Sequence, residues 1–451
     1  MGELFANVNT TNSLQTNVAV LSKGMFPRIF PSHLKLIPQL SEVYELALAF
    51  YESQILNNEE IIENSAYFSQ VNQQYTNHFL MTTGQSLKLP KHSSSRLKSF
   101  FVNNQFRTGY ATHGLFPYRG KFHPQMIKAL INIMGLKSGS IVLDPMMGSG
   151  TVPIEACLMG IKSIGIDASP FCHFMAQTKL DALVLPLREI KKALADYKRI
   201  FNYFVKVYGH PIVKGNLNET IFPSVVTDLS SKTGKNSNRG VFNFILLAYF
   251  DAAGYSTRSK RVAPLVQFHK ILERYIFVVE KIQYFLENQK INIGETNLIT
   301  GNACALTLDD CSVDGILFSP PYSFAIDYLE NDDFHLNALG VDIENLRKQM
   351  IGLKGKSLRE KYNCYIQDMN QVLSECSRVL KPMSFCSIII GTNDNQLGKA
   401  LGIPITEVLG LNQIIIDLAK THGLILVRQL KRRISGIANT MRDEFIIILQ
   451  K

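Results

Sequence analysis

No C-x-x-C pair occurs in this 451-residue chain, and its seven cysteines (157, 172, 304, 311, 364, 376 and 386) stand apart with no histidines clustered beside them. That pattern excludes a zinc scaffold or a disulfide framework, so no metal is expected and a reducing compartment is. No charged-then-apolar leader opens the sequence, and every apolar run stays under about ten residues, too short for a membrane span. A cytoplasmic location is therefore the expectation. Acidic residues are also scarce: 37 against 47 Lys and Arg leave a formal net charge of +10. Such a surplus favours a polyanionic partner through phosphate contacts and counterion release. What is abundant is core-forming material, 46% hydrophobic against 19% charged residues, enough for roughly two to three folded domains.

Residues 1–95 carry few signals. Val43, Leu46, Ala47 and Phe50 fit one face of a helix after Pro38, whereas the Ser/Asn/Gln-rich stretch 65–95 reads as loop, which makes 1–95 a small helical or irregular accessory region. Aromatics, bases and glycines then interleave from Phe106 to Pro124, a composition suited to a segment lying over a ligand, and Pro124 opens an amphipathic helix. Between about 186 and 290 two long stripes, Leu187 to Phe204 and Leu265 to Leu286, repeat at helical spacing. They frame two basic, Ser/Thr/Asn-rich patches, 230–240 and 255–261, whose Lys232, Lys235, Arg239, Arg258, Lys260 and Arg261 are candidate phosphate contacts, the alternative being solvated loop. Glu330, Asp332 and Asp333 read as a solvated helix face rather than a metal site.

Two strings carry chemistry. The strand Ser140–Leu143 runs into Asp144-Pro145-Met146-Met147-Gly148-Ser149-Gly150-Thr151, then a helix, then a second strand ending in Asp167. This is a β-turn-α-β unit with glycines where backbone must approach a ligand, a helix N-terminus open to an anion, and an acid placed for ribose hydroxyls. The second string, Gly315 to Tyr322, is a short buried strand running into Ser319-Pro320-Pro321-Tyr322. The prolines end the ladder and leave the Pro320 carbonyl free to accept a hydrogen bond from elsewhere. A hydroxyl, a free carbonyl and an aromatic face at one strand end suit a flat ring bearing an amino group. After Phe385–Ile390, two strands (Leu424–Leu430 and Glu444–Leu449) read as an antiparallel pair on the edge of a mostly parallel sheet.

With both strings placed, the sequence resembles the S-adenosylmethionine-dependent amino-group DNA methyltransferases, whose cofactor motif D-P-F-x-G-S-G-T and catalytic motif S/D/N-P-P-Y/F/W they match. The resemblance covers roughly 106–182 and 291–451. It implies an α/β, Rossmann-like class I methyltransferase fold: a mostly parallel seven-stranded sheet with an antiparallel C-terminal edge, plus a helical insertion. Residues 96–182 would be its first, cofactor-binding part, 183–290 the insertion that helps recognise the target, and 291–451 the catalytic part. It further implies that Lys121, Phe122 and His123 lie over the methionine end of the cofactor. Asp144, Pro145, Met146, Gly148, Ser149, Gly150 and Thr151 would shape that pocket, Asp167 and Ala168 would hold the ribose, and Asn302 and Ala303 would flank the adenine. Two positions depart from the family: Met146-Met147 stands for Phe-x, and Asn302 for an acid. Ser319, Pro320, Pro321 and Tyr322 would be catalytic, acting on a base flipped out of double-stranded DNA. No Pro-Cys dipeptide occurs, which disfavours C5-cytosine chemistry. Serine before Pro-Pro-Tyr goes mostly with cytosine N4; adenine N6 is the alternative, and the run Asp144 to Ala156 also resembles tRNA guanine-N2 methyltransferases. A non-catalytic DNA-binding protein is the reading from another class, opposed by the intact catalytic string. A cognate restriction endonuclease is a possible partner.

Overall fold

A computed structural model describes residues 28–38, 40, 42–83, 101–102, 105–106, 108–118, 122–213, 236–258, 262–321, 327–433 and 443–451. Seven strands form the central sheet: β1 (Ile141–Asp144), β2 (Lys162–Asp167), β3 (Thr296–Thr300), β4 (Val313–Phe318), β5 (Leu380–Thr392), β6 (Ile425–Arg433) and β7 (Asp443–Gln450). Their spatial order is β6-β7-β5-β4-β1-β2-β3. Neighbours from β3 to β5 pair in parallel, while β7 runs antiparallel to both β5 and β6. The antiparallel edge is present as expected, with the last strand of the chain inserted inside it. This is the Rossmann-like class I methyltransferase fold.

The sheet is apolar on both faces, as parallel strands covered by crossovers must be. Alternation along each strand sorts the core in two. Leu143, Ile316, Phe318, Ile388, Ile390, Ile447 and Leu449 face the helices Leu358–Val379 and Leu411–Thr421. Val142, Leu317, Ile389, Ile446 and Ile448 face the helix Pro124–Ile133 and, behind it, residues from the N-terminal region. A third core joins the helices of the insertion to the segment around Tyr110–Phe116.

Three expectations change locally. The stretch from Ser65 contains two strands, Phe68–Val71 and Gln74–Tyr75, joined through Asn72 and Gln73, both at positive φ, and then the helix Asn77–Thr82. The first long stripe of the insertion is two helices, Leu187–Ala195 and Tyr197–Tyr208, broken at Asp196 (φ −102, ψ 19). The part of the first basic patch within the described residues, Asn236–Gly240, is the start of the helix Asn236–Arg258 rather than loop.

No single helix among the described residues is long and apolar enough to cross a membrane. The bent pair Asp394–Leu401 and Ile405–Thr421 has the composition for it, but Leu397, Leu411 and Ile415 are spent on the core.

Candidate active site

Strand order reverses between β1 and β4, and in open α/β sheets the crevice beyond the carboxyl ends at such a switch point is where ligands bind. Both chemical strings leave the sheet there. After β1 the chain turns through Gly148 (φ +49) and Gly150 (φ +78), a conformation that costs other residues 1 kcal/mol or so. At Gly150 space forbids a side chain as well: a Cβ would sit 2.7 Å from that of Ala176. The loop is tied down by Met147 N–H to the Ile166 carbonyl (2.9 Å) and Gly150 N–H to the Met147 carbonyl (2.8 Å). The helix Thr151–Leu158 starts directly from it.

Asp167 closes the turn from the side. One carboxylate oxygen accepts from Gly148 N–H and the other from Ser169 N–H, each at 2.8 Å. An ionised carboxylate offers about four lone-pair sites, so both oxygens keep room for a ligand hydroxyl. Asp144 is fully buried under the loop; its Oδ1 accepts from Met146 N–H (3.0 Å) and its Oδ2 has no hydrogen-bond partner among the described residues. Burial, with Asp167 nearby, pushes the Asp144 carboxyl well above the usual range.

β4 delivers Ser319, Pro320 and Pro321 to the same place. Ser319 Oγ lies 3.4 Å from the Pro320 carbonyl, and the buried Tyr365 hydroxyl donates to the Pro321 carbonyl at 3.3 Å, bracing the corner from the 358–379 helix. One cleft is lined by Pro145, Met146, Gly148, Asp167, Ala168, Asn302, Ala303 and Ser319–Pro321 together. Its empty space, about 770 Å³, is continuous with open solvent.

Not every expected residue arrives. Phe122 and His123 do not line the cleft. Pro124 turns the chain into its helix, His123 gives its carbonyl to Met126 N–H (3.1 Å), and Phe122 packs against the N-terminal core. Among the described residues of that segment, Tyr118 reaches the cleft, beside Gly148, its hydroxyl accepting from Cys172 Sγ at 3.4 Å. Ser149, Gly150 and Thr151 are structural neighbours of the cleft rather than its wall. Asn302 is in place, but its Oδ1 already accepts from Cys304 N–H (2.9 Å), so the amide presents chiefly its N–H₂. Lys121 and Tyr322 lie outside the described residues, as do Lys232, Lys235, Lys260 and Arg261; Arg239 is exposed near the start of the 236–258 helix and Arg258 ends it. Asp332, expected on a solvated face, is turned inward near His335, and no cluster of metal-ligating side chains occurs among the described residues.

Tyr118 belongs to the Phe106–Pro124 segment expected over a ligand, but sequence reasoning missed other wall residues, Cys172, Tyr328 and the run Gln349–Ile351. It also missed Lys179, a fully buried lysine whose Nζ donates to the Ser149 carbonyl (3.2 Å) and whose pKa burial lowers to about 7. No local pattern marks these positions, because each meets the cleft only through tertiary packing.

Glycines at a helix start, a carboxylate with lone pairs to spare, a buried carboxylate oxygen without a partner and apolar walls fit S-adenosylmethionine, which carries an ammonium, a ribose and an adenine. Fold and site together define a class I methyltransferase that uses this cofactor. Comparison with known proteins agrees. The family model described as "UPF0020: RMKL-like, methyltransferase domain" matches residues 115–214. The type II methyltransferase M.MjaII of Methanocaldococcus jannaschii is 24% identical over 436 residues, 73% of this chain and 78% of its own. M.BsoBI of Geobacillus stearothermophilus, another type II methyltransferase, is 25% identical over 290 residues, 55% of this chain and 56% of its own. A tRNA (guanine(10)-N2)-dimethyltransferase of Methanothermobacter thermautotrophicus is 40% identical over only 52 residues, 12% of this chain and 16% of its own. By these matches the chain is similar to methyltransferases, two of them type II enzymes over more than half of its length.

Proposed function

We propose that the protein methylates DNA, at the exocyclic N4 of a cytosine flipped out of the duplex. The observation that carries this reading is that Ser319, Pro320 and Pro321 share one cleft with Gly148 and Asp167. A site at that depth admits a base only after it leaves the stack. Bound in the cleft, S-adenosylmethionine supplies an electrophilic methyl group on its sulfonium. The chain's own task is to prepare a poor nucleophile, because the amino lone pair is delocalised into the ring. Ser319 Oγ and the Pro320 carbonyl accept the two amino hydrogens and favour a pyramidal nitrogen whose lone pair is directed out of the ring plane. Transfer would form the N–C bond as the sulfur–methyl bond breaks and leave the neutral thioether S-adenosylhomocysteine. The nitrogen, now carrying the positive charge, gives up one proton, which the two neutral acceptors orient and which passes to solvent. Tyr322 stacks on the flipped ring, worth about 1–3 kcal/mol for a base–aromatic pair. Asp144, buried beneath the turn, supports the methionine end of the pocket, while Asp167 faces the ribose and Asn302 with Ala303 the adenine. Arg239 and Arg258, with the neighbouring Lys232, Lys235, Lys260 and Arg261, contact phosphates. At 19 residues apart on one helix, the two arginines are separated by about 28 Å at 1.5 Å per residue, so they touch separate points along a duplex.

The long matches to two type II methyltransferases support DNA over tRNA, because the tRNA-enzyme match stops at 52 residues. The test is mass spectrometry of nucleosides from DNA, and separately from unmodified tRNA, incubated with the protein and methyl-labelled cofactor. N4-methylcytosine is expected; N6-methyladenine would move the target base, and label confined to tRNA N2-methylguanosine would refute the DNA reading.

A further inference from the structure

Half of the chain's net charge sits in fifteen residues beside the cleft. Between 347 and 361 there are six basic residues (Arg347, Lys348, Lys354, Lys356, Arg359, Lys361) and one acid, Glu360, a net of 6 − 1 = +5 against +10 for the whole chain. The middle of the same segment, Gln349–Ile351, is cleft wall. We infer that this segment is the surface that grips the DNA backbone on either side of the extruded base, an inference that rests on the DNA reading above.

The geometry holds the segment ready. Arg347 pairs with Asp327 (2.6 Å), a few residues beyond the catalytic corner, and Lys354 pairs with Asp368 (2.7 Å) on the 358–379 helix. These two ion pairs anchor the segment at either side of the wall residues, with Ile351 and Leu353 buried between them. Beyond them the chain turns sharply at Gly355 (φ +99), where a Cβ would lie 2.8 Å from Lys361 N. The single acid does not neutralise the lysines by ion pairing. Glu360 accepts from Lys356 N–H (2.8 Å) and Ser357 N–H (3.3 Å) and so completes the cap of its own helix. Those bonds hold its pKa below the usual carboxylate value. Arg359 is exposed and donates to the Leu401 carbonyl. Lys348 and Lys356, exposed, and Lys361, half-buried, have no ion pair among the described residues.

Three cations without anions among the described residues, carried by a braced segment whose middle is cleft wall, form a preorganised phosphate site. A strand that places a base against Gln349–Ile351 must run its own phosphates past them. The basic patches of the insertion lie elsewhere on the chain, so this surface adds contacts rather than duplicating theirs.

The test is a triple variant, Lys348→Gln, Lys356→Gln and Lys361→Gln, in the full chain, with S-adenosylhomocysteine affinity measured first to show that the cleft is intact. Binding to sheared unmodified genomic DNA is then followed against salt concentration, in parallel with unmodified tRNA. Each phosphate contact contributes about 0.9 to the slope of log K against log salt on duplex DNA, so the variant should be shallower by about 2.7. A variant slope equal to that of a wild type that binds and methylates DNA overturns this surface alone. A wild type that neither binds nor methylates DNA overturns the DNA reading and this inference with it. A slope that changes with tRNA but not with DNA overturns the choice of partner.

Discussion

Lys179 carries an amine into a place where charge is costly, and it does so to hold the carbonyl of Ser149 in the cofactor turn. Burial lowers its pKa from 10.5 to about 7. The folded state thus releases this proton more readily than the unfolded chain, and where the unfolded state binds more protons stability rises with pH. The contribution is complete above about pH 10.5 and is lost as pH falls toward 7. Between pH 7 and 9 the wild type should gain about 2 kcal/mol from this group, at 1.36 kcal/mol per pH unit over most of that span. Lys179→Met, long and apolar, should lack that gain, so denaturant melts of both proteins at pH 7, 8 and 9 ought to show their difference growing; a constant difference would mean the amine is not titrating there. Ser319 offers a kinetic test at the same scale. A hydrogen bond to a group developing charge is worth about 1.5–3 kcal/mol, so Ser319→Ala should lower kcat by about 10- to 100-fold. Cofactor affinity should stay as it was, and a parallel loss in S-adenosylhomocysteine binding would show that the serine holds the corner together instead.

Besides the shared apolar core, one hydroxyl ties the insertion to the segment that reaches the cofactor cleft. Tyr275, fully buried on the helix Pro264–Gln289, accepts from Phe116 N–H at 2.7 Å and lies 3.4 Å from Asp251, which is itself in a buried ion pair with Arg274. Phe116 sits at φ +42, a strained position for a bulky residue that surrounding contacts must enforce. Two residues on, Tyr118 is cleft wall. Tyr275→Phe keeps the ring but leaves the Phe116 N–H without its acceptor, a cost of about 1–3 kcal/mol. The expected result is a KM for S-adenosylmethionine raised severalfold with kcat and DNA affinity nearly unchanged; a lower melting temperature with an unaltered KM would make the bond structural only. What the sequence revealed and what it hid divide along the same line. The turns at Asp144–Thr151 and Ser319–Pro321 were legible because glycine and proline constrain backbone locally, and the stripes at Leu265–Leu286 because a buried helix face repeats. The hairpin at Phe68–Tyr75 was hidden by Ser69, Gln70, Gln73 and Gln74, although Asn72 at a two-residue turn was a usable signal for the positive φ there. Tyr118 was legible only as part of the aromatic and basic segment Phe106–Pro124, while Lys179 and Gln349–Ile351 could not be read at all, since what they touch lies far away in the chain.

At the scale of the whole molecule, residues 28–83 are part of the main core. Leu46, Leu48, Ala49, Tyr67, Phe68 and Val71 join one buried cluster with Met126, Ile127, Leu130 and Ile131 of the 124–133 helix and with Val142, Leu317 and Ile389 of the sheet. Polar contacts bind the same interface. The buried Glu52 carboxylate accepts from Ala66 N–H (2.9 Å), Tyr67 N–H (3.3 Å) and Asn132 Nδ2 (2.7 Å), while Gln125 donates to the Ala66 carbonyl (2.8 Å). An independent accessory region would leave its neighbour's surface solvated. Here its removal would uncover the outer face of the helix that covers β1 and β4, at about 1.5–3 kcal/mol for each fully buried aliphatic or aromatic side chain exposed. Several such losses exceed the 5–15 kcal/mol by which folded domains typically survive. A chain beginning at residue 84 should therefore fail to melt cooperatively and fail to bind S-adenosylhomocysteine, even though every expected cofactor and catalytic residue is retained. If that shortened chain instead unfolds in a single transition and binds the ligand as the full chain does, the N-terminal residues are dispensable packing and the shared core is not what keeps the cleft in shape.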